Sequence, residues 1–110
     1  MKLINNTMGQ GIAMAVCECL TLGVKAGLSL EQMVEVLSGT AVSNRMMEVA
    51  YANAAFRGDF SLGFPLDWAH KDVGHMLSLA AELNTPAPAA ALVHQLQAIA
   101  RSQGKGRMDH

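Results

Sequence analysis

The first quarter of the chain holds the tightest constraint on its fold. From residue 2 to residue 26 the pattern predicts one helix, with Gly27 as its stop. Such a helix is about 37 Å long at 1.5 Å per residue. Over residues 11–24 it is apolar nearly all round, with Ile12, Ala13, Met14, Ala15, Val16, Cys17, Cys19, Leu20 and Leu22 broken only by Glu18 and Thr21 among larger side chains. A helix without a polar face has to be covered on most sides. A chain of 110 residues makes one domain with one core and has little left to wrap it. A second copy docking on helix one, a homodimer, is therefore expected. Gly9, Gly11 and Gly23 allow another helix to approach closely, at a cost in helix propensity. The apolar stretch 11–24 falls short of the roughly 20 residues a bilayer span needs, and it has no signal-peptide pattern. No membrane partner is expected, and the chain reads as cytoplasmic.

The remainder is also helical. Ser29 and Gln32 form a capping box ahead of a second helix over 30–37. A third helix is expected over 43–56, carrying Met46, Met47, Val49, Ala50 and Ala54 and closed by a turn at Arg57-Gly58-Asp59. Leu66, Ala69, Val73, Met76, Leu77, Ala80 and Leu83 recur at helical steps behind Pro65 and predict a fourth helix. The proline-rich connector 84–88 leads to a last helix over 89–103, expected to bury Leu92, Val93, Leu96, Ile99 and Ala100 before a fraying tail. No segment alternates like a strand. The fold class is all-α, a helical bundle built on one long N-terminal helix.

Composition removes whole classes of function. With a net charge of -1 and no basic stripe, nucleic acid is not an expected partner. Eight methionines and few aromatic residues suit an adaptable aliphatic core. Cys17 and Cys19 lie about 200° apart on a helix, so they neither pair with each other nor share a metal. The four histidines have no zinc spacing, and Asp67, His70 and Asp72 read as solvated helix polarity, so no metal site is expected. No glycine loop follows a strand to cradle a phosphate.

Two polar clusters remain. Lys2, Asn5 and Asn6 sit at the mouth of helix one, and Asn6 follows Lys2 by four residues, on the same face. The positive end of the helix dipole opposes an ammonium there. An amine beside an amide in such a field suits general acid/base chemistry, while a frayed polar terminus accounts for the same residues. Phe64-Pro65-Leu66 and His70-Lys71-Asp72 make the second cluster. Asp67 and Lys71, four residues apart, are expected to pair on an exposed helix face.

Taken in order, Lys2-x-x-Asn5-Asn6, a long apolar helix with Glu18, then Phe64-x-Leu66-x-x-x-x-Lys71-Asp72 opening another helix, resemble the β-hydroxyacid dehydrogenase family of 3-hydroxyisobutyrate dehydrogenase and tartronate semialdehyde reductase. The connector at Thr85-Pro86-Ala87-Pro88 and the ending Gly104-x-Gly106-x-x-Asp109 belong to the same resemblance, which covers essentially the whole chain. It implies a C-terminal helical domain like that of 6-phosphogluconate dehydrogenase, spanning residues 1–110, with the N-terminal Rossmann domain absent. It implies that Lys2 is the catalytic lysine, that Asn5, Asn6, Phe64 and Asp72 bind substrate, and that Lys71 reaches the dinucleotide. Glu18 matches an acid frequent in the family and is assigned only to packing or helix-anchoring. The implied activity is an NAD- or NADP-dependent oxidation of a small β-hydroxyacid, such as 3-hydroxyisobutyrate or the glycerate/tartronate semialdehyde couple, in a full-length enzyme. The chain alone is expected to bind no dinucleotide tightly and to be inactive. The alternative is a stand-alone helical dimerisation or protein-binding module.

Overall fold

A computed structural model describes residues 1–51, 54–59, 61 and 63–109, with the backbone alone for Ala50. Its elements are α1 (Lys2–Lys25), α2 (Leu30–Ser38), a π-helical turn at Met46–Tyr51, a 3-10 turn at Ala55–Arg57, α3 (Leu66–Glu82) and α4 (Pro88–Ser102). Among the described residues there is no strand, only a lone bridge between Pro65 and Asp109. The fold is all-α. Contacts divide the chain into two compact units, one of Met1–Gly11 with Ser61–His110 and the other of Ile12–Phe60, so the boundary falls inside α1.

Helix α1 ends where its glycine requires. Gly27 takes φ 93, the Gly27 N–H donates to Val24 O at 3.0 Å, and the Leu28 N–H donates to Gly23 O at 3.0 Å. This pair of bonds satisfies carbonyls that the helix end would otherwise strand. Gln10, Ala13 and Leu20 are its buried residues, while Ile4, Met8, Leu22 and Val24 are exposed. Taken whole, its 24 residues are long and apolar enough to cross a membrane by length and composition alone. The nearly all-apolar stretch 11–24 is only part of that length. The amides of Asn5, Asn6 and Gln10 in α1 have protein partners, described below.

In the unit Ile12–Phe60, Ser29 caps α2, its Oγ accepting the Gln32 N–H at 3.3 Å. The expected helix over 43–56 is instead broken up. Asn44 accepts the Met47 N–H through Oδ1 at 3.0 Å, a π-helical turn follows, and a 3-10 turn ends at Gly58 with φ 77. Of the residues expected in that helix, Ala52 and Asn53 lie outside the described residues. The π geometry places Met47 and Tyr51 inside, four residues apart, and both are buried. Cys17 and Cys19 are free.

In the unit Met1–Gly11 with Ser61–His110, α3 packs on α4. Leu66, Ala69, Val73 and Ala80 of α3 and Ala90 and Val93 of α4 are buried. The face of α4 differs from the expected one. Leu92 and Ile99 are exposed, while Ala90, Val93 and Gln97 are inside. Small residues allow the close approach: a Cβ on Gly74 of α3 would sit 3.2 Å from His94 Nε2 of α4.

The tail does not fray. After Gly104, in the left-handed conformation at φ 80, it runs back across the start of α3. The N–H of Leu66 donates to Met108 O and that of Asp67 to Gly106 O, each at 2.9 Å. Pro65, at the N-cap of α3, has no side chain to cap with, and tail carbonyls take over that task. The Asp109 carboxylate accepts the N–H groups of Gly63 at 3.1 Å and Phe64 at 2.5 Å.

Candidate functional site

The first two turns of α1 meet the middle of α3 at Asp72. Asp72 occupies the apolar stripe of α3, between Ala69 and Val73, and is 6% exposed. It is not the solvated residue its neighbours in sequence suggest. A carboxylate there needs partners, because burial without them costs several kcal/mol, on the order of 2–7 even for a neutral polar group. Asn6 Nδ2 donates to Asp72 Oδ2 at 2.7 Å. Lys2 Nζ stands 3.9 Å from the same oxygen, its side chain 78% exposed. Asn5 Nδ2 donates to Asn6 Oδ1 at 3.3 Å, so both polar ends of the Asn6 amide are engaged. Lys2, Asn5, Asn6 and Asp72, four of the residues singled out by the sequence, form one chain of contacts. Their order is physical: a buried carboxylate fixes an amide, and an ammonium with free access to water stands beside both.

Phe64 and Lys71 stand apart from that chain. Phe64 precedes α3 by two residues, about two turns from Asp72. Its ring packs edge-on against Trp68, with centroids 6.1 Å apart and planes at 71°. Lys71 is exposed, about 100° around α3 from Asp72. The expected Asp67–Lys71 pair gives way to another: Arg101 Nε donates to Asp67 Oδ1 at 2.5 Å. Tertiary packing of α4 against α3 brings Arg101 close, and the planar guanidinium outcompetes a flexible ammonium on the same helix.

Sequence reasoning missed three further features of the same unit. Gln97 Nε2 of α4 donates to Gln10 Oε1 of α1 at 2.9 Å, one turn of α1 beyond Asn6, and both residues are buried. His70 and His94 stack with ring centroids 3.8 Å apart and planes at 12°. Burial, then the neighbouring His94 and Arg101, push the His70 imidazole below its ordinary 6.5. The third is the Asp109 clamp on Phe64. Gln10 and Gln97 left one readable signal, since each is a polar residue interrupting an apolar helix face. Among the described residues no three His, Cys, Asp or Glu side chains gather as a metal site would require. What the arrangement offers chemically is a solvent-facing ammonium held near an oriented amide, suited to delivering or receiving a proton at an oxygen bound between them.

The family described as NAD-binding of NADP-dependent 3-hydroxyisobutyrate dehydrogenase matches residues 1–110. The chain is 35% identical to 3-sulfolactaldehyde reductase of Escherichia coli over 108 residues, 98% of this chain and 36% of that protein. It is also 35% identical to 2-(hydroxymethyl)glutarate dehydrogenase of Eubacterium barkeri, with the same coverage of 98% and 36%. Its fold superposes with a TM-score of 0.86 on the crystal structure of 3-hydroxyisobutyrate dehydrogenase from Salmonella typhimurium, at 26% identity, covering 98% of this chain and 38% of that one. The chain thus spans little more than a third of the length of the proteins it matches.

Proposed function

Because this chain belongs to the β-hydroxyacid dehydrogenase family, we propose that it is the C-terminal helical domain of an NAD(P)-dependent enzyme that oxidises a small β-hydroxyacid or reduces the matching aldehyde. The reading rests on one observation above all: Lys2, Asn6 and the buried Asp72 converge on a single carboxylate oxygen. In it, Lys2 gives a proton to the aldehyde oxygen, or takes one from the hydroxyl in the reverse direction. Asn6 holds that oxygen near the ammonium, and Asn5 steadies the amide. Asp72 acts by fixing Asn6 through its Oδ2 atom. Phe64, with Trp68 behind it, makes an apolar wall that limits substrate size.

The described residues fit only the edge of a dinucleotide. They include no strand and no phosphate-cradling glycine loop, and the exposed Lys71 offers one ammonium to a phosphate. When bound, the dinucleotide supplies or accepts the hydride. Its main seat is assigned to a Rossmann domain outside residues 1–110, so the 110-residue chain alone binds it weakly and turns nothing over. The intact enzyme is assigned to the cytoplasm, and its substrate is a small hydroxy acid or the corresponding semialdehyde.

The test is to join the chain to a family Rossmann domain and assay reduction of short semialdehydes with NADH and NADPH. Activity that falls by about 10²–10⁴ in Lys2→Ala supports the reading, the range expected for loss of a general acid. Wild-type turnover in that variant sinks it. The exposed Ile4, Met8 and Leu22 of α1 favour a homodimer through this helix, and they are also what a bare dimerisation module would offer. Dimers without activity in every joined form would favour the module.

A further inference from the structure

The amide pair formed by Gln10 and Gln97 lies one turn along α1 from Asn6, and nothing in the proposed chemistry uses it. Gln97 is 1% exposed and Gln10 is 4% exposed. Two apolar side chains of similar volume would fill the same space without a hydrogen bond to satisfy, at little change in stability. What apolar side chains would not do is fix a register. The Gln97 amide reaches Gln10 at only one height and one rotation of α1, because a slip of one residue moves the partner by about 1.5 Å and 100°. Such a slip would leave two amides buried and unpaired. Asn6 and Gln10 are four residues apart on α1, so whatever fixes Gln10 against α4 also fixes the face on which Asn6 meets Asp72. A buried hydrogen bond that only one arrangement can make favours that arrangement over its alternatives.

We propose that Gln10 and Gln97 are positioning residues that set the register of α1 and thereby aim Asn6, and with it Lys2, at Asp72. The inference rests on the proposed role of Asn6 and Lys2 only for its effect on turnover, and its structural half stands alone. Thr7 Oγ1 and Gln97 Oε1 are buried, with no hydrogen-bond partner among the described residues. Replacing Gln97 by an apolar side chain removes one of these two atoms, Gln97 Oε1, and leaves Thr7 Oγ1 as it is.

The decisive experiment uses the 110-residue chain with Gln10→Met and Gln97→Met combined. Nitrogen-15 spectra follow the Asn6 side-chain amide, whose protons are slowed in exchange while they are bonded to Asp72. The expected result is a thermal midpoint within a few degrees of the parent, with the Asn6 amide exchanging about tenfold faster or more and its signals shifted toward those of a free amide. An unchanged Asn6 amide in a folded double variant overturns the proposal. The single Gln97→Met variant, which strands Gln10, is expected to lose stability as well, so the comparison separates register from folding. In an enzyme carrying the Rossmann domain, the double variant is expected to lower kcat by about tenfold or more while leaving KM for the dinucleotide unchanged, as misplacement of a reacting group does. A parent without turnover counts against the proposed activity alone, since the amide measurement still decides the register.

Discussion

Asp72 shows how one residue can be misjudged and still be found. Its spacing puts it in the buried stripe of α3, yet beside His70 and Lys71 it reads as surface polarity. The structure gives it Asn6 as a donor at 2.7 Å. Asn6→Ala should leave the carboxylate buried without that donor and destabilise the chain by about 1–3 kcal/mol, measured by urea unfolding near neutral pH. His70 supports a second prediction at this scale. Its depressed pKa means that the unfolded chain binds the proton more readily than the folded one. Its contribution to stability is whole above the ordinary value of 6.5 and declines as pH falls below it toward the folded value. The thermal midpoint should drop between pH 7.5 and 5.5, and His70→Phe should flatten that slope; an unchanged slope would mean that other groups carry it. Lys2, Asn5 and Asn6 were legible because they are close in sequence and share a helix mouth. Gln97 and Arg101 were not, because their partners come from remote segments that no local spacing announces.

At the scale of elements, helix ends were the most legible part of the sequence. Gly27 and Gly104 adopt the left-handed conformation that stops a helix, and Asn84, at φ 51, does the same for α3. These are local backbone rules, and they hold without knowledge of the fold. The π-helical turn at Met46–Tyr51 and the buried face of α4 obey tertiary packing instead. Leu92 and Ile99 look like core residues by period, but a closer approach is available through Ala90 and Gly74, and α4 turns that face inward. The tail lies between these extremes, with its glycines visible and its partner hidden. A Cβ on Gly106 would lie 2.5 Å from Asp67 Oδ1, an atom held by Arg101. Gly106→Ala should therefore cost about 1–3 kcal/mol in chemical denaturation. Asp109→Ala should cost about 0.5–2 kcal/mol, as loss of a helix cap does, and should speed amide exchange at Gly63 and Phe64.

For the whole molecule, the all-α class followed from the absence of alternating segments, whereas the division into two units did not, because it cuts through a helix that is continuous in sequence. The exposed apolar residues of α1 lead to a prediction at this scale. Sedimentation at micromolar concentration should show a dimer, and Ile4→Glu with Met8→Glu should return it to monomer; a parent that sediments as a monomer would remove α1 as an interface. The side-chain amide hydrogen bonds that tie the start of α1 to α3 and α4 have another consequence, one that concerns time. Asn6 and Asp72 are 66 residues apart in sequence, and Gln10 and Gln97 are 87 apart, whereas α3, α4 and the tail are near neighbours. Contacts of high sequence separation wait on loop closure and form late. Pulse-labelled hydrogen exchange should find α3 and α4 protected before the start of α1 docks. A chain can then have its helical hairpin fully folded and still have no site at all.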